Sequence, residues 1–409
     1  MNDHPADSDP LSSYRVLDMT TFLSGPFCTQ VLADLGADVV KIEPPTGDSS
    51  RHIPPHFVES DSAYFLANNR NKRSVSVDLK SPDGRNLVSR LITQADVVID
   101  NYRPGVLARL QLNPLDFCKK DSRLIWASIS GFGQTGPARD RPAYDMIVQA
   151  ESGVMSLTGE LDRPSVRLGI PAGDTVAGLY ATIAVNAALA DRERTGRGRM
   201  IDVSMLDCQL AMLSYQSAYA LIGGVTPGHQ GARHDSIPTY RSFSAGDGRE
   251  VVITANTERM WQGLCRAVER TELCSDPRFS SGELRLENRD ALWEILEAAF
   301  LQRAAEDWIS ILEKEDVPVA LIKSVPEALK DAQHSDRGMI TSMKSRHGSA
   351  IDVVGNPIKM SGITCKTPSY PPALGGDAAS VMKDWLNISE SEIQQMSANG
   401  AFLSPSART

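Results

Sequence analysis

The sequence predicts an α/β fold built on a parallel sheet, and three observations lead there. Short β-branched runs alternate with helical patterns over the first half of the chain. The runs are spaced widely enough for a crossover helix, as parallel pairing requires. The 409 residues are 41% hydrophobic and 23% charged, a globular balance with material for two domains.

The elements follow in order. Residues 1–13 read as a loose tail. Tyr14–Thr20 (YRVLDMT) is a strand, Gly25-Pro26 opens a helix that stops at Gly36, and Ala37–Glu43 (ADVVKIE) is a buried strand. SVSVDL at 74–79, DVVIDN at 96–101 and LIWASISG at 124–131 are further strands, with a helix over 82–94. TGRGR at 195–199 ends a long helix, and MIDVSML at 200–206 returns as a strand. The pattern is that of a Rossmann-like, doubly wound domain. Its first turn, LSGPFCTQVLADLG, lacks the G-x-G-x-x-G spacing that lets backbone approach a pyrophosphate, which argues against a nicotinamide dehydrogenase. Gly-rich and polar segments at 222–250 mark a composition shift. Beyond it, VVITAN reads as a strand, 258–270, 289–302 and 304–315 as helices, and PVALIKSVPEAL as strand, turn and helix. We therefore expect a large domain of 1–205 plus 345–409, linkers at 206–234 and 326–344, and a smaller α+β domain at 235–325.

Composition narrows the function. A net charge of -9 argues against nucleic acid as a partner. The polar N-terminus does not read as a signal peptide, and no run of about 18 apolar residues predicts a membrane span. Cysteines at 28, 118, 208, 265, 274 and 365 form no CxxC pair and no disulfide framework, which favours a reducing, cytoplasmic setting. No metal site is expected: Pro54-Pro55 breaks any helix aligning His52 with His56, and His229 and His234 lie in a Gly-rich loop.

Pro171-Ala172-Gly173-Asp174-Thr175 is the segment where position and chemistry meet. Val176, Leu179, Tyr180, Ile183, Ala184 and Ala187 trace one helical face, expected to be buried. Asp174 reads as the N-cap of that helix, close to unpaired backbone N–H groups. Taken alone, such an aspartate is a plain helix cap.

The rest of the chain changes its meaning. SGPFCTQVLADLGADVVKIEPP, NRNKRSVSVDLKSPDGR, ADVVIDNYRPGVLARL, ASISGFGQTGP, PAYDMIVQAESGVMSLTG, PAGDTVAGLYA, TGRGRMIDVSMLD and RHDSIPTYRSFSAGDG occur in this order. With these blocks the chain resembles the family III CoA-transferases, the CaiB/BaiF family, which includes formyl-CoA transferase and α-methylacyl-CoA racemase. The resemblance implies that CoA passes from an acyl-CoA donor to a carboxylic acid acceptor through an aspartyl–acyl mixed anhydride on Asp174. It implies acyl-CoA as substrate, with no permanently bound cofactor; no membrane partner is expected, because no span is predicted. It implies a CoA site at Phe22, Leu23, Ser24, Val77, Lys80, Asn101, Tyr102, Arg109 and Tyr144, and a homodimer interlocked like two rings. Covalent catalysis suits a carboxylate, and helix N-terminal N–H groups could hold the developing oxyanion.

Two departures from the family pattern bear on the substrate. Leu23 replaces a polar residue of formyl-CoA transferase, and no glycine-rich mobile loop is recognisable near 225–250, which argues against formyl and oxalate. The racemase branch requires a histidine and an aspartate as paired bases. Tyr144 occupies the histidine's position, and a phenol ionising near ~10 is a poor base at neutral pH. Transferase is therefore favoured. A racemase or related CoA-ester isomerase or lyase is the alternative, and an inactive CoA-binding module the remote one. Arg70 is a candidate partner for the second carboxylate of a dicarboxylate such as succinate, with solvation as the equal alternative.

Overall fold

The computed structural model describes residues 9–363 and 367–403. Six of the β-branched runs form one sheet: β1 (Arg15–Met19), β2 (Asp38–Glu43), β3 (Lys72–Ser76), β4 (Val97–Asp100), β5 (Ile125–Ser130) and β6 (Met200–Ser204). Their order is β3-β2-β1-β4-β5-β6 and every pairing is parallel. The winding reverses between β1 and β4, which opens a crevice at the carboxyl ends of those strands.

Alternation along each strand feeds two cores. Leu17, Val40, Val98 and Trp126 point to one face; Val16, Val39, Val97, Ile99 and Ile125 point to the other. The first core is closed by Leu87, Val88 and Leu91. It also takes Ala378, Val381, Met382 and Trp385 of the helix Ala378–Leu386, so a segment late in the chain packs on the first sheet. The second core is closed by α1 (Ser24–Asp34) and by a long helix, Ala172–Thr195, called α3 below. Between them in sequence lies α2 (Asp145–Glu151).

The chain forms two compact units. One runs to Val154, continues over Arg167–Val225 and resumes at Ser335; the other comprises Met155–Val166 and Thr226–His334. The second unit is α+β. Its antiparallel sheet holds β7 (Arg241–Ser244), β8 (Glu250–Ile253) and β9 (Val319–Leu321) in the order β9-β8-β7. Phe243, Trp261, Phe300 and Trp308 fill its core. The expected linkers hold regular structure. Most of 206–221 is helical, as Met205–Met212 and Tyr215–Leu221, and 326–344 carries most of the helix Val325–Gln333 and the strand Ile340–Lys344. Nothing in the composition of 155–166 announced its place in the second unit. Cys365 lies outside the described residues; the other five cysteines are free.

The buried face of α3 differs from the expected one. Ala177, Gly178, Ala181, Val185, Ala188 and Leu189 are buried, whereas Leu179, Tyr180 and Ile183 are 42%, 44% and 63% exposed. Small residues face inward because α1 lies close. A Cβ on Gly178 would sit 2.7 Å from the Ser24 carbonyl oxygen and 3.0 Å from the Phe27 ring. That contact brings the start of α3 up to the start of α1. Gly178→Val is therefore expected to force the two helices apart and cost about 1–3 kcal/mol. A thermal midpoint equal to wild type would show that the helices tolerate the added volume.

Candidate active site

The crevice between β1 and β4 is where the site is assembled. The turn after β1 is fixed from beneath by buried charge. Asp18, fully buried, accepts hydrogen bonds from the Thr20 N–H at 2.9 Å and the Thr29 hydroxyl at 2.7 Å, and pairs with Lys72 Nζ at 3.1 Å. Lys41 Nζ donates to the Thr20 carbonyl at 2.7 Å and pairs with Asp48 at 2.9 Å. Asp48 in turn accepts the Phe22 N–H at 3.3 Å. From the β4 side, Asn101 clamps the same turn in both directions: its Oδ1 accepts the Thr21 N–H at 2.9 Å and its Nδ2 donates to the Thr21 carbonyl at 2.8 Å. Phe22 is thereby held at φ 63, in the left-handed region.

Above this turn lies a cavity of about 590 Å³, lined by Phe22, Ser24, Tyr64, Asn101, Tyr102, Tyr144, Asp145 and Asp174, with Arg103, Arg139, Arg141 and Arg167. Asp174 is half-buried. It is not the N-cap of α3: Pro171 is, and Asp174 lies inside the first turn. Asp145, the first residue of α2, does the capping. Its Oδ1 accepts the Gly173 N–H at 2.7 Å and lies 3.4 Å from the Asp174 N–H. Gly173 permits this approach, since a Cβ there would come within 2.9 Å of that oxygen. Ala172 and Thr175 donate to the carbonyls of Ile170 and Pro171. The first-turn N–H groups of α3 are thus occupied, which corrects the expectation that they meet a developing oxyanion. By contrast, α1 starts at Ser24 with no side-chain cap and no acidic residue in its first turn.

Burial raises the Asp174 carboxyl to about 7, the Asp145 charge adds to the rise, and a hydrogen bond with Ser24 opposes it. Burial, followed by Asp174 and Asp145, pushes the Tyr64 phenol up to about 12. Tyr102 also reaches about 12, through burial and then Asp100. The cavity thus holds a carboxylate that changes charge near neutrality beside two phenols that stay protonated there.

The expected CoA-site residues are distributed unevenly. Phe22, Ser24, Asn101, Tyr102 and Tyr144 meet at the cavity, where the rings of Phe22 and Tyr144 form an edge-on pair with centroids 6.3 Å apart. Leu23 and Val77 are buried, and neither lines it. Lys80 and Arg109 are exposed and also outside the lining. Arg70 is not available to a substrate there: it is buried and donates from Nε to Asp34 at 3.0 Å. Sequence reasoning missed Tyr64, Asp145, Arg139, Arg141 and Arg167. Asp145 was the one with a signal, because PAYDM puts an acid at the start of a helix. Among the described residues no cluster suited to a metal ion occurs, and no helix is long and apolar enough to cross a membrane.

Comparisons with known proteins agree with one another. A model of CoA-transferase family III matches residues 11–378. The mouse succinyl-CoA:glutarate CoA-transferase is 36% identical over 394 residues, covering 96% of this chain and 90% of the relative. The acetyl-CoA:oxalate CoA-transferase of Acetobacter aceti is 40% identical over 355 residues, 86% of this chain and 90% of that one. It places an oxalate enzyme among the relatives despite the unrecognised glycine loop. A crystal structure of a CaiB/BaiF family protein from Brucella suis superposes with a TM-score of 0.83 at 36% identity, over 92% of this chain and 100% of the other. The chain belongs to CoA-transferase family III and is an enzyme of that class.

The raised Asp174 carboxyl has a consequence for stability. Its folded-state value of about 7 exceeds the ordinary ~4 of an unfolded aspartate, so its protonation favours the fold. That contribution is complete below about pH 4 and is lost as pH rises through 7. Asp174→Asn, which stays neutral, should match wild type in acid and exceed it above pH 7. Solvent screening at a half-buried site limits the gain to about 1–2 kcal/mol. Asp145→Asn should move the wild-type transition toward lower pH. A stability gap that widens toward acid, read from thermal midpoints across pH, would refute this.

Proposed function

We propose that the enzyme transfers CoA from an acyl-CoA donor to a carboxylic acid acceptor, with Asp174 as the nucleophile. The observation that carries this reading is a half-buried carboxylate of raised basicity in the cavity where the doubly wound sheet reverses. Ionised Asp174 attacks the thioester carbonyl, the C–S bond breaks, and CoA leaves as its thiolate. The product is an aspartyl–acyl anhydride. For the donor acid to depart, the thiolate attacks the aspartyl carbonyl, giving an aspartyl thioester and the free carboxylate. The acceptor carboxylate repeats these two steps in reverse, and Asp174 is regenerated. The N–H groups at the uncapped start of α1 suit the oxyanions that form. Exclusion of water protects the anhydride from hydrolysis.

For CoA we assign Phe22, Ser24, Asn101, Tyr102 and Tyr144 at the cavity. Lys80 and Arg109 follow β3 and β4, at the carboxyl end of the sheet, and suit the phosphates. Carboxylic acids with two carboxylates are the acceptors we favour. The names of relatives include succinyl-CoA:glutarate and acetyl-CoA:oxalate transferases, and four arginines line the cavity. Five free cysteines fit a reducing, cytoplasmic compartment.

We further assign a homodimer with interlocked chains. Leu179, Tyr180 and Ile183 on α3, and separately Leu221 and Ile222, are large apolar side chains that a single chain leaves open to water. A second copy is the partner that family membership supplies.

Three outcomes are expected. Asp174→Ala should bind CoA as wild type does and lose about 10⁴-fold or more in transfer. Incubation of wild type with acyl-CoA followed by hydroxylamine or borohydride should modify Asp174. Transfer by the alanine variant within tenfold of wild type would remove Asp174 from this role. In sedimentation, the protein should remain dimeric at any dilution that leaves it folded. A folded monomer on dilution would exclude interlocking.

A further inference from the structure

We infer that Arg167 reads the second carboxylate of a dicarboxylic substrate and so sets the enzyme's preference for dicarboxylyl over monocarboxylyl groups. The inference rests on the CoA-transfer reading and names a residue that it left open.

Arg167 lines the same cavity as Asp174. The residue that follows it, Leu168, is tied to the nucleophile's helix start through one hydrogen-bonded frame. The Leu168 N–H donates to Gln149 Oε1 at 2.9 Å, Gln149 Nε2 donates to Asp145 Oδ2 at 2.7 Å, and Asp145 Oδ1 accepts the Gly173 N–H at 2.7 Å. Gln149 is fully buried, so this frame is shielded from water. Leu168, next to the exposed Arg167, and Gly173, next to Asp174, are thus both anchored to α2 at the two ends of one short segment. The frame fixes where the exposed Arg167 side chain starts relative to the reacting atom, as a specificity residue requires.

The four arginines of the cavity differ in what occupies them. Arg141 is paired with Glu151 and lies over the Phe132 ring at 4.7 Å. Arg139 pairs with its neighbour Asp140 at 3.4 Å. Arg103 belongs to the loop after β4, with the residues assigned to CoA. Arg167 donates one bond, from Nη1 to the Leu168 carbonyl at 3.0 Å, and among the described residues no acidic side chain pairs with it. The rest of its planar fork remains for a ligand. A guanidinium matches a carboxylate with two parallel hydrogen bonds, and it stays charged at any working pH. A short dicarboxylate held at Asp174 by one end presents its other end as an anion inside this cavity. A methyl group at that end would leave the guanidinium unmatched, which is the strong form of discrimination.

The test compares glutaryl-CoA with valeryl-CoA, which differ only in a terminal carboxylate against a methyl. Hydroxylamine-dependent release of CoA thiol reads attack on each thioester without an acceptor. Wild type should favour glutaryl-CoA by about a hundredfold or more in kcat/KM. Arg167→Gln should lose about a hundredfold on glutaryl-CoA, mainly in KM, while valeryl-CoA changes by less than about threefold. Calorimetric affinity for CoA should be unchanged, and Arg167→Lys should restore part of the preference. Equal loss on both thioesters, an unaltered preference, no wild-type preference, or transfer of the selective loss to Arg103→Gln would each overturn the inference. A wild-type protein that releases thiol from neither thioester would instead overturn the CoA-transfer reading itself.

Discussion

The turn from Thr20 to Ser24 depends on ion pairs that water does not reach. Asp18 loses solvation by burial, yet Lys72 and Lys41 overcome that cost and hold its carboxyl well below the usual range. Burial likewise opposes charge on Lys41, and Asp18, Asp48 and Glu43 together raise it above an ordinary lysine. Lys72 is the weaker member: its burial outweighs the attraction of Asp18 and lowers it to about 8. Such a network is a poor source of net stability, because desolvation cancels much of the attraction. Its value here is positional. Asp18, Lys41 and Asp48 each hold a group of the turn by a further hydrogen bond, and Lys72 donates to the Pro26 carbonyl, so the start of α1 is fixed in the crevice.

The same economy of groups governs Asp174. A carboxylate placed as the cap of α3 would be stabilised by the helix N–H groups and made less basic. Asp145 takes those donors instead. Asp174 is then left half-buried next to a second negative charge, with Ser24 as its moderating partner. Two acids at one helix start thus divide the work: one satisfies backbone, and the other keeps its basicity. Under the proposed mechanism that division matters, because an anhydride-forming nucleophile gains from basicity and an oxyanion can be served by α1 rather than α3.

The inverted amphipathicity of α3 has a related cause. Close approach of α3 to α1 demands glycine and alanine on the facing side, and the larger apolar side chains are displaced outward. The geometry that sets Asp174 beside Ser24 therefore also generates the apolar stripe from which we infer a second copy of the chain.

The sequence by itself determined the parallel sheet, because β-branched runs separated by helix-length segments admit few other arrangements. It also singled out Asp174, through the order of blocks shared with a family. Three of its readings were corrected by the tertiary structure, and one residue was not read at all. The buried face of α3 was misread because periodicity reports where apolar residues lie, not which side a close neighbour leaves room for. Asp174 was misread as a cap because Asp145, 29 positions away in sequence, supplies the acceptor. Arg70 looked available because its partner Asp34 is local only in the fold. Arg167 carried no pattern at all; its meaning comes from the Gln149–Asp145 frame and from the cavity it shares with Asp174. Local pattern fixes elements and their order, whereas the partner of each charged group is decided by long-range packing, and in this site the chemistry resides in those partners.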